Sequence, residues 1–267
     1  MVSRFGCGVL FGFLLCAGSL AQDVTVAPCG VAGVTVAGAS SAEYFETVDE
    51  VLGATRSPSL NAWLPYGVTL TNRTSQHIAA IAVRWVVTNH RGQASPVTVT
   101  HSMFDQPRLQ VAPGKSVVAL PVALLGTAPL PRQFQLTPPP GVLPVQGHLA
   151  EFQGARKVQA TLDGVVFASG QFVGPDNAKE FEELVAETTV PAHIASTVLA
   201  MNASGEAIGT VAAWLEANSK LQTGDRNAQV TARTAKLLLD DYKRGGEALL
   251  YEVAQGYAQG PGIKLYR

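Results

Sequence analysis

The sequence predicts an α+β chain, an antiparallel β-sandwich followed by a C-terminal α-helical region. The first observation behind this is the stretch Ile78 to Thr88, where Ile81, Val83, Trp85 and Val87 place large apolar side chains at every second residue, the period of a β-strand. The intervening Ala80, Ala82, Arg84, Val86 and Thr88 are smaller or more polar. One face is therefore expected in a core and the other under a thinner cover or in water. The second observation is a series of short segments with the same period, separated by turn residues. The third is the change to helical period after Gly174-Pro175-Asp176. A run of strands followed by a run of helices argues against alternating βαβ units.

The first residues differ from the rest. Met1 to Arg4 is short and positive, Phe5 to Gly18 is an almost unbroken apolar run, and Ser19-Leu20-Ala21 places small residues where a signal peptidase reads. This pattern predicts a signal peptide cleaved between Ala21 and Gln22. The apolar run is shorter than the ~20 residues of a bilayer-spanning helix. Cleavage would remove Cys7 and Cys16, leaving Cys29 as a single thiol with no intramolecular disulfide to form. Cys16 follows Phe13-Leu14-Leu15, which lacks the small residue that lipid attachment requires. An exported chain without disulfides fits a secreted, periplasmic or bacterial extracellular location, with no membrane span after signal removal.

Between Gln22 and Ser41 the tetrapeptide Val-Thr-Val-Ala occurs twice, at Val24 to Ala27 and Val34 to Ala37. Two readings stand, a short hairpin or a loosely ordered leader. Ser40 with Glu43 matches a capping box, and Phe45, Val48 and Leu52 follow at helical spacing before Gly53, which predicts a short helix. Arg56 to Asn61 reads as a linker. Leu64 to Asn72 returns to strand period through Tyr66, Val68 and Leu70, and the polar Asn72 to Gln76 is expected to join it to Ile78–Thr88 as an antiparallel hairpin.

Asn89 to Gly92 has turn composition, and Pro96 to Phe104 resumes alternation through Val97 and Val99, less clearly through His101 and Met103. Arg108 to Val111 and Ser116 to Leu120 flank Ala112-Pro113-Gly114-Lys115, where proline presets the first turn position and glycine accepts positive φ at the next, giving a further hairpin. The proline cluster of Leu130 to Pro144 reads as a rigid surface connection. Val158, Ala160 and Leu162 alternate and Val165 to Ala168 is apolar on both faces, a second buried strand with Gly164 as a bulge. Ser169-Gly170 is a tight turn to Phe172-Val173.

Four amphipathic helical segments follow. Asn177 to Thr188 carries Ala178, Phe181, Leu184 and Val185 on one side, with Glu180, Glu182, Glu183 and Glu187 on a solvated face. Pro191 to Met201 places proline in a first turn. Glu206 to Ser219 carries Ile208, Val211 and Leu215. Arg226 to Arg244 carries Val230, Leu237, Leu238 and Tyr242 and stops at Gly245-Gly246, before a last turn or two over Glu247 to Gln255 and an apolar tail at Ile263 to Tyr266. The expected organisation is 1–21 signal peptide, 22–63 N-terminal segment with a short helix, 64–174 β-sandwich, and 175–267 helical region.

With 267 residues, 47% hydrophobic, the chain buries a sizeable core. Its net charge of −1 and 15% charged residues, without a basic block, argue against nucleic acid as a partner. Gly114-Lys115-Ser116 resembles the end of a phosphate loop, but Leu109 stands where the first glycine belongs and the context is a turn between strands. No serine lies in a Gly-x-Ser-x-Gly elbow. His77, His90, His101, His148 and His193 are scattered singly, without metal-ligand spacing. Asp163 and Asp176 flank the second buried strand region, and Asp176 reads as a helix N-terminal residue. Asn72-Arg73-Thr74 and Asn202-Ala203-Ser204 match the N-glycosylation pattern, which has meaning only on a eukaryotic export route.

The Pro113-Gly114 turn and the alternating strands give roughly Leu64 to Val173 an architecture that resembles exported immunoglobulin-like modules, a likeness that implies no particular function. No residues point to a catalytic, cofactor or metal site. The reading is an exported, non-catalytic binding or structural module of the cell envelope, its partner an unknown protein or envelope component. Two alternatives remain. One is a hydrolase-type enzyme assembled from distant residues, with His90, His101, Asp105 and Asp163 as contributors. The other is a subunit whose partner covers the helices' apolar stripes.

Overall fold

A computed structural model describes residues 24–52, 58–104, 110–125, 146–222, 225–260 and 262–267. The expected signal peptide at 1–21, Asp105 and the proline cluster at 130–144 lie outside the described residues. The chain is mixed α and β with two sheets. In chain order, β1 (Val24–Val26), β2 (Val34–Gly38), β3 (Val68–Asn72), β4 (Ile78–Asn89), β5 (Ala94–Ser102), β6 (Ser116–Leu120), β7 (Ala123–Leu125), β8 (Ala155–Phe167) and β9 (Phe172–Val173) form them. One sheet has the order β2-β3-β6-β7, all antiparallel. In the other, β4 lies between β5 and β8. The far edge of β8 is shared by β1, which runs parallel to it, and by β9.

The alternation along β4 is what sorts its side chains. Ile81, Val83 and Trp85 stand opposite His101, Val99 and Val97 of β5, and all three join a hydrophobic cluster that takes side chains from both sheets. Trp85 is fully buried, its Nε1–H donating to the Tyr66 carbonyl at 2.9 Å. Burying these three and Val87 contributes about 1.5–3 kcal/mol each. The opposite face carries Ala80 and Ala82, small enough for a helix to approach.

Several expected pairings are corrected. β3 and β4 do not form a hairpin, because the turn between them carries the chain from one sheet to the other. Asn72 holds that crossing: its Nδ2 donates to the Gln76 and Val111 carbonyls, both at 2.8 Å, and its Oδ1 accepts from Thr74 N at 3.0 Å and Thr74 Oγ1 at 2.7 Å. The Pro113-Gly114 turn forms, with Gly114 at φ +74° and Lys115 N–H bonded to Ala112 O, but it docks on the Asn72 backbone. Val111 bridges Ile78, and β6 pairs with β3. β1 and β2 are neither a hairpin nor a loose leader, since each pairs within a different sheet and Val24 is buried.

Helices also pack on the sheets: the expected short helix, and two that were not expected. In α1 (Ala42–Leu52) the capping residue is Ser41, whose Oγ accepts from Tyr44 N, and the buried face is Tyr44 and Val48 while Phe45 is exposed. The linker reading at Pro58–Asn61 gives way to one helical turn, α2. A helix with no sequence signal, α3 (Gln146–Gln153), inserts Phe152 against Trp63 and Tyr66, ring centroids 5.5 and 5.1 Å apart. Two edge-on aromatic contacts fix it where amphipathic periodicity does not.

The two expected helices around Pro191 are one, α4 (Glu180–Ala203). Proline removes one backbone donor there, but α6 (Arg226–Gln259) lies along both halves, with Arg233 paired to Glu187 just before the proline. With α5 (Ile208–Ser219) these helices build a second cluster around Ile194, Val198, Val211, Leu215, Leu238 and Leu250. As expected, helical backbone breaks at the glycine pair, where Gly246 has φ +69° and ψ −160°. A third cluster, of Ala79, Ala80, Phe104, Val166, Phe172 and Leu184, joins the start of α4 to the thin face of the β4 sheet.

Candidate functional site

The polar groups of the molecule converge where β8, β9, the start of α4 and the last residues of the sequence meet. β8 has a bulge at this point: Gly164 stands opposite Ala82 and Leu162 opposite Val83, leaving Asp163 as the extra residue. The expected bulge thus falls one residue earlier than Gly164. Gly164 is needed beside it because a Cβ there would meet the Phe172 ring at 2.3 Å. A bulge re-aims the side chain it carries.

Asp163 is fully buried and uses its carboxylate on the following loop. Oδ1 accepts from Asn177 N at 3.0 Å and Asn177 Nδ2 at 3.1 Å, Oδ2 accepts from Ala178 N at 2.9 Å, and the backbone carbonyl accepts from Asp176 N at 2.9 Å. Held this way, Asp176 and Lys179 take φ of 53° and 61°, the only non-glycine residues with positive φ among the described residues. Such conformations persist only where the surroundings over-determine them. Asp176 does act at the helix start, its Oδ1 accepting from Phe181 N at 3.0 Å, while its Oδ2 pairs with Arg267.

Glu180 corrects the expectation of a wholly solvated glutamate face. It is 4% exposed, wedged between α4 and the edge strand β5, and its Oε2 accepts from the Thr100 hydroxyl. Glu183, one turn on, hydrogen-bonds Glu180 and is paired with Arg226 of α6. Burial pushes the Glu180 carboxyl up to about 7, helped by the charge and hydrogen bond of Glu183 and opposed by Thr100 and Arg226. Two shallow grooves of about 220 and 350 Å³ run beside Glu182 and Arg226, but Glu180 lines neither. Glu180 therefore keeps its carboxyl inside the interface, while Glu183 lines the smaller groove.

This has a pH consequence with a definite sign. Glu180 titrates at about 7 when folded against an ordinary value of 4.5, so between these values the folded chain binds more protons and its stability falls as pH rises. The groups facing it are Thr100 on β5, Glu183 one turn on, and Arg226 on α6. Glu180→Gln keeps the neutral shape, so its stability relative to wild type is expected to grow from pH 4.5 to 7 and then level off. Urea unfolding of both proteins across that range checks it; a constant difference would refute the buried-proton assignment.

Of the four residues offered for an enzyme site, the three that are described are not gathered. His101 faces the core cluster from β5, hydrogen-bonded to the Leu120 backbone; burial lowers its pKa to about 4, and its Nε2 has no partner among the described residues. His90 sits in the exposed turn after β4, where Asn89 Oδ1 accepts from Arg91 N and Gln93 N. Asp163 holds the loop described above, and Asp105 lies outside the described residues. No cluster of three or more His, Cys, Asp or Glu suited to a metal occurs among the described residues. Asn72 of the first glycosylation triplet is buried with its Nδ2 doubly engaged, whereas Asn202 is exposed on α4.

Sequence reasoning missed Glu180 and Arg267. An aspartate inside the apolar run at 162–167 was a legible signal for Asp163. Nothing distinguishes Glu180 from Glu182 or Glu183 before the edge strand is placed. Compared with family models, curated proteins and solved structures, the chain has no match in any of the three.

Proposed function

We propose that this chain is an exported, non-catalytic binding or structural module of the cell envelope. It would be secreted or periplasmic after cleavage between Ala21 and Gln22, without a membrane span in the mature chain. The observation that carries this is how its reactive side chains are used: Asp163 and Asp176 are committed to contacts that join the β and helical parts, and Glu183 and Arg226 to a pair that joins α4 to α6. An architecture that fixes one rigid junction suits presentation of surfaces. α4 is long and apolar enough by composition to cross a bilayer. Its Glu187–Arg233 pair and its shared cluster with α5 and α6 support a packed role instead.

The finer fold assignment belongs to the same proposal. An immunoglobulin-like sandwich for residues 64–174 is supported by a chain that crosses repeatedly between the sheets, with β3 in one, β4 and β5 in the other, β6 and β7 back in the first, and β8 in the second. The buried Trp85 on β4 packs between the sheets, which adds to it. The signal at 1–21, the segment 22–63 and the helical region 175–267 complete the proposed organisation, although β1 and β2 of that segment also extend the two sheets.

In-cell crosslinking of the mature protein, with mass analysis of whatever is recovered, tests this reading. The expected product starts at Gln22 and carries an envelope protein or component. A chain that keeps Met1 to Ala21, or that stays free in every envelope fraction while turning over a substrate, would overturn it. A hydrolase-type enzyme is the second reading, favoured only by the raised pKa of the buried Glu180 carboxyl beside Glu183. The subunit reading would need a contiguous exposed apolar patch. The large exposed apolar side chains there, Phe45, Leu221 and Tyr266, lie on separate elements.

A further inference from the structure

The segment Ile263 to Arg267 occupies a slot built for an extended peptide. It runs beside β9 as a parallel bridge, Gln171 opposite Tyr266, with Phe172 N–H donating to Tyr266 O at 2.8 Å and Tyr266 N–H donating to Gly170 O at 3.0 Å. Its side chains alternate: Ile263 and Leu265 pack into the cluster of Phe172, Phe181 and Leu184, while Lys264 and Tyr266 face out. Gly170 leaves room for this backbone, since a Cβ there would come within 2.2 Å of the Lys264 carbonyl.

The end of the slot is a guanidinium cage. Arg267 pairs with the Asp176 carboxylate and lies 4.6 Å over the Phe181 ring and 5.8 Å from that of Phe172. Those rings meet edge to face at 5.4 Å. The Asp176 side chain is only 7% exposed, whereas Arg267 is 56% exposed. The socket is thus rigid, held by the positive-φ loop on Asp163, and its occupant is superficial. The tether carries Gly260 at φ +60° and Gly262 at φ +68°, and a Cβ on Gly262 would meet nothing within 4 Å. Strand addition gives affinity through main-chain bonds and specificity through alternate side chains.

We propose that this slot is a peptide-recognition site for an extended segment of a partner protein with the pattern apolar-x-apolar-x-Arg, and that residues 263–267 fill it in cis as a tethered competitor. Tethering raises the local concentration of the internal segment, so the partner peptide gains access when the tether swings away. The proposal rests on the binding-module reading and names its partner class.

The test converts the internal segment into a free one. A protease recognition sequence is inserted between Gly260 and Gly262 of the full chain, which is folded, cleaved and freed of the released segment by gel filtration. It is then titrated with a fluorescein-labelled Ile-Lys-Leu-Tyr-Arg peptide. Saturable binding is expected to the cleaved chain and not to the uncleaved one. It should weaken about tenfold or more when the peptide's arginine is replaced by alanine, or when the protein carries Asp176→Ala. Equal binding of both peptides, absence of binding to a cleaved chain whose circular dichroism is unchanged, or unfolding on cleavage would each overturn the proposal. Unfolding would make the segment a fixed strand. Crosslinked partners lacking the pattern would leave the binding-module reading intact while the peptide assignment fails.

Discussion

Val83→Asp is expected to abolish folding of the β region. Val83 is 1% exposed on the central strand, opposite Leu162 of β8 and Val99 of β5, so no water reaches it. The substitution removes about 1.5–3 kcal/mol of apolar burial. It adds the several kcal/mol of an unpaired buried carboxylate, and together these rival the roughly 5–15 kcal/mol of net stability of a domain. Val83→Ala, which removes only the burial, should remain folded with a lowered Tm. Both are read by near-ultraviolet circular dichroism, where Trp85 reports the packing. A soluble Val83→Asp protein that melts like wild type would mean that this side chain does not face the cluster between the sheets.

The second large effect is expected at Asn72. Asn72→Asp preserves shape but replaces the Nδ2 donor with an oxygen, setting it 2.8 Å from both the Gln76 and Val111 carbonyls. Two donations become two repulsions in a residue with no exposed surface. The cost should be about 3–5 kcal/mol, the range for an uncompensated buried charge. Asn202→Asp, on the exposed end of α4, is the control and should stay within about 0.5 kcal/mol of wild type. Equal denaturation midpoints for the two variants would remove Asn72 from the crossing between sheets. The same geometry means that glycosylation of Asn72 is incompatible with this fold, since its amide nitrogen has both hydrogens engaged.

What could be read before any coordinates was whatever each residue states about its own neighbourhood. Alternation placed Trp85 and Phe167 in a core, and both are buried. The Ser169-Gly170 turn, the positive φ of Gly114 and the break at Gly246 follow from glycine's lack of a Cβ, a property of one residue that no partner alters. Helical spacing likewise found Val211 and Leu215, because a buried stripe repeats every turn of the same helix.

Partner choice was not readable in that way. β3 looked like the natural mate of β4, yet it pairs with β2 and β6, while β1 finds β8 from far along the chain. Either pairing satisfies the same alternation, and the difference lies in long-range packing and in one buried amide at Asn72. Glu180 shows the same limit at the scale of a side chain: its sequence context is that of a solvated glutamate, and only the approach of β5 takes it out of water. The sequence by itself determined most of the extended and helical segments, though not α2 or α3, and where glycine interrupts them, because those outcomes depend on period and local sterics. The tertiary structure decided which strands meet, which carboxylates are buried and where Arg267 docks, because these depend on groups that become neighbours only once the chain has closed on itself.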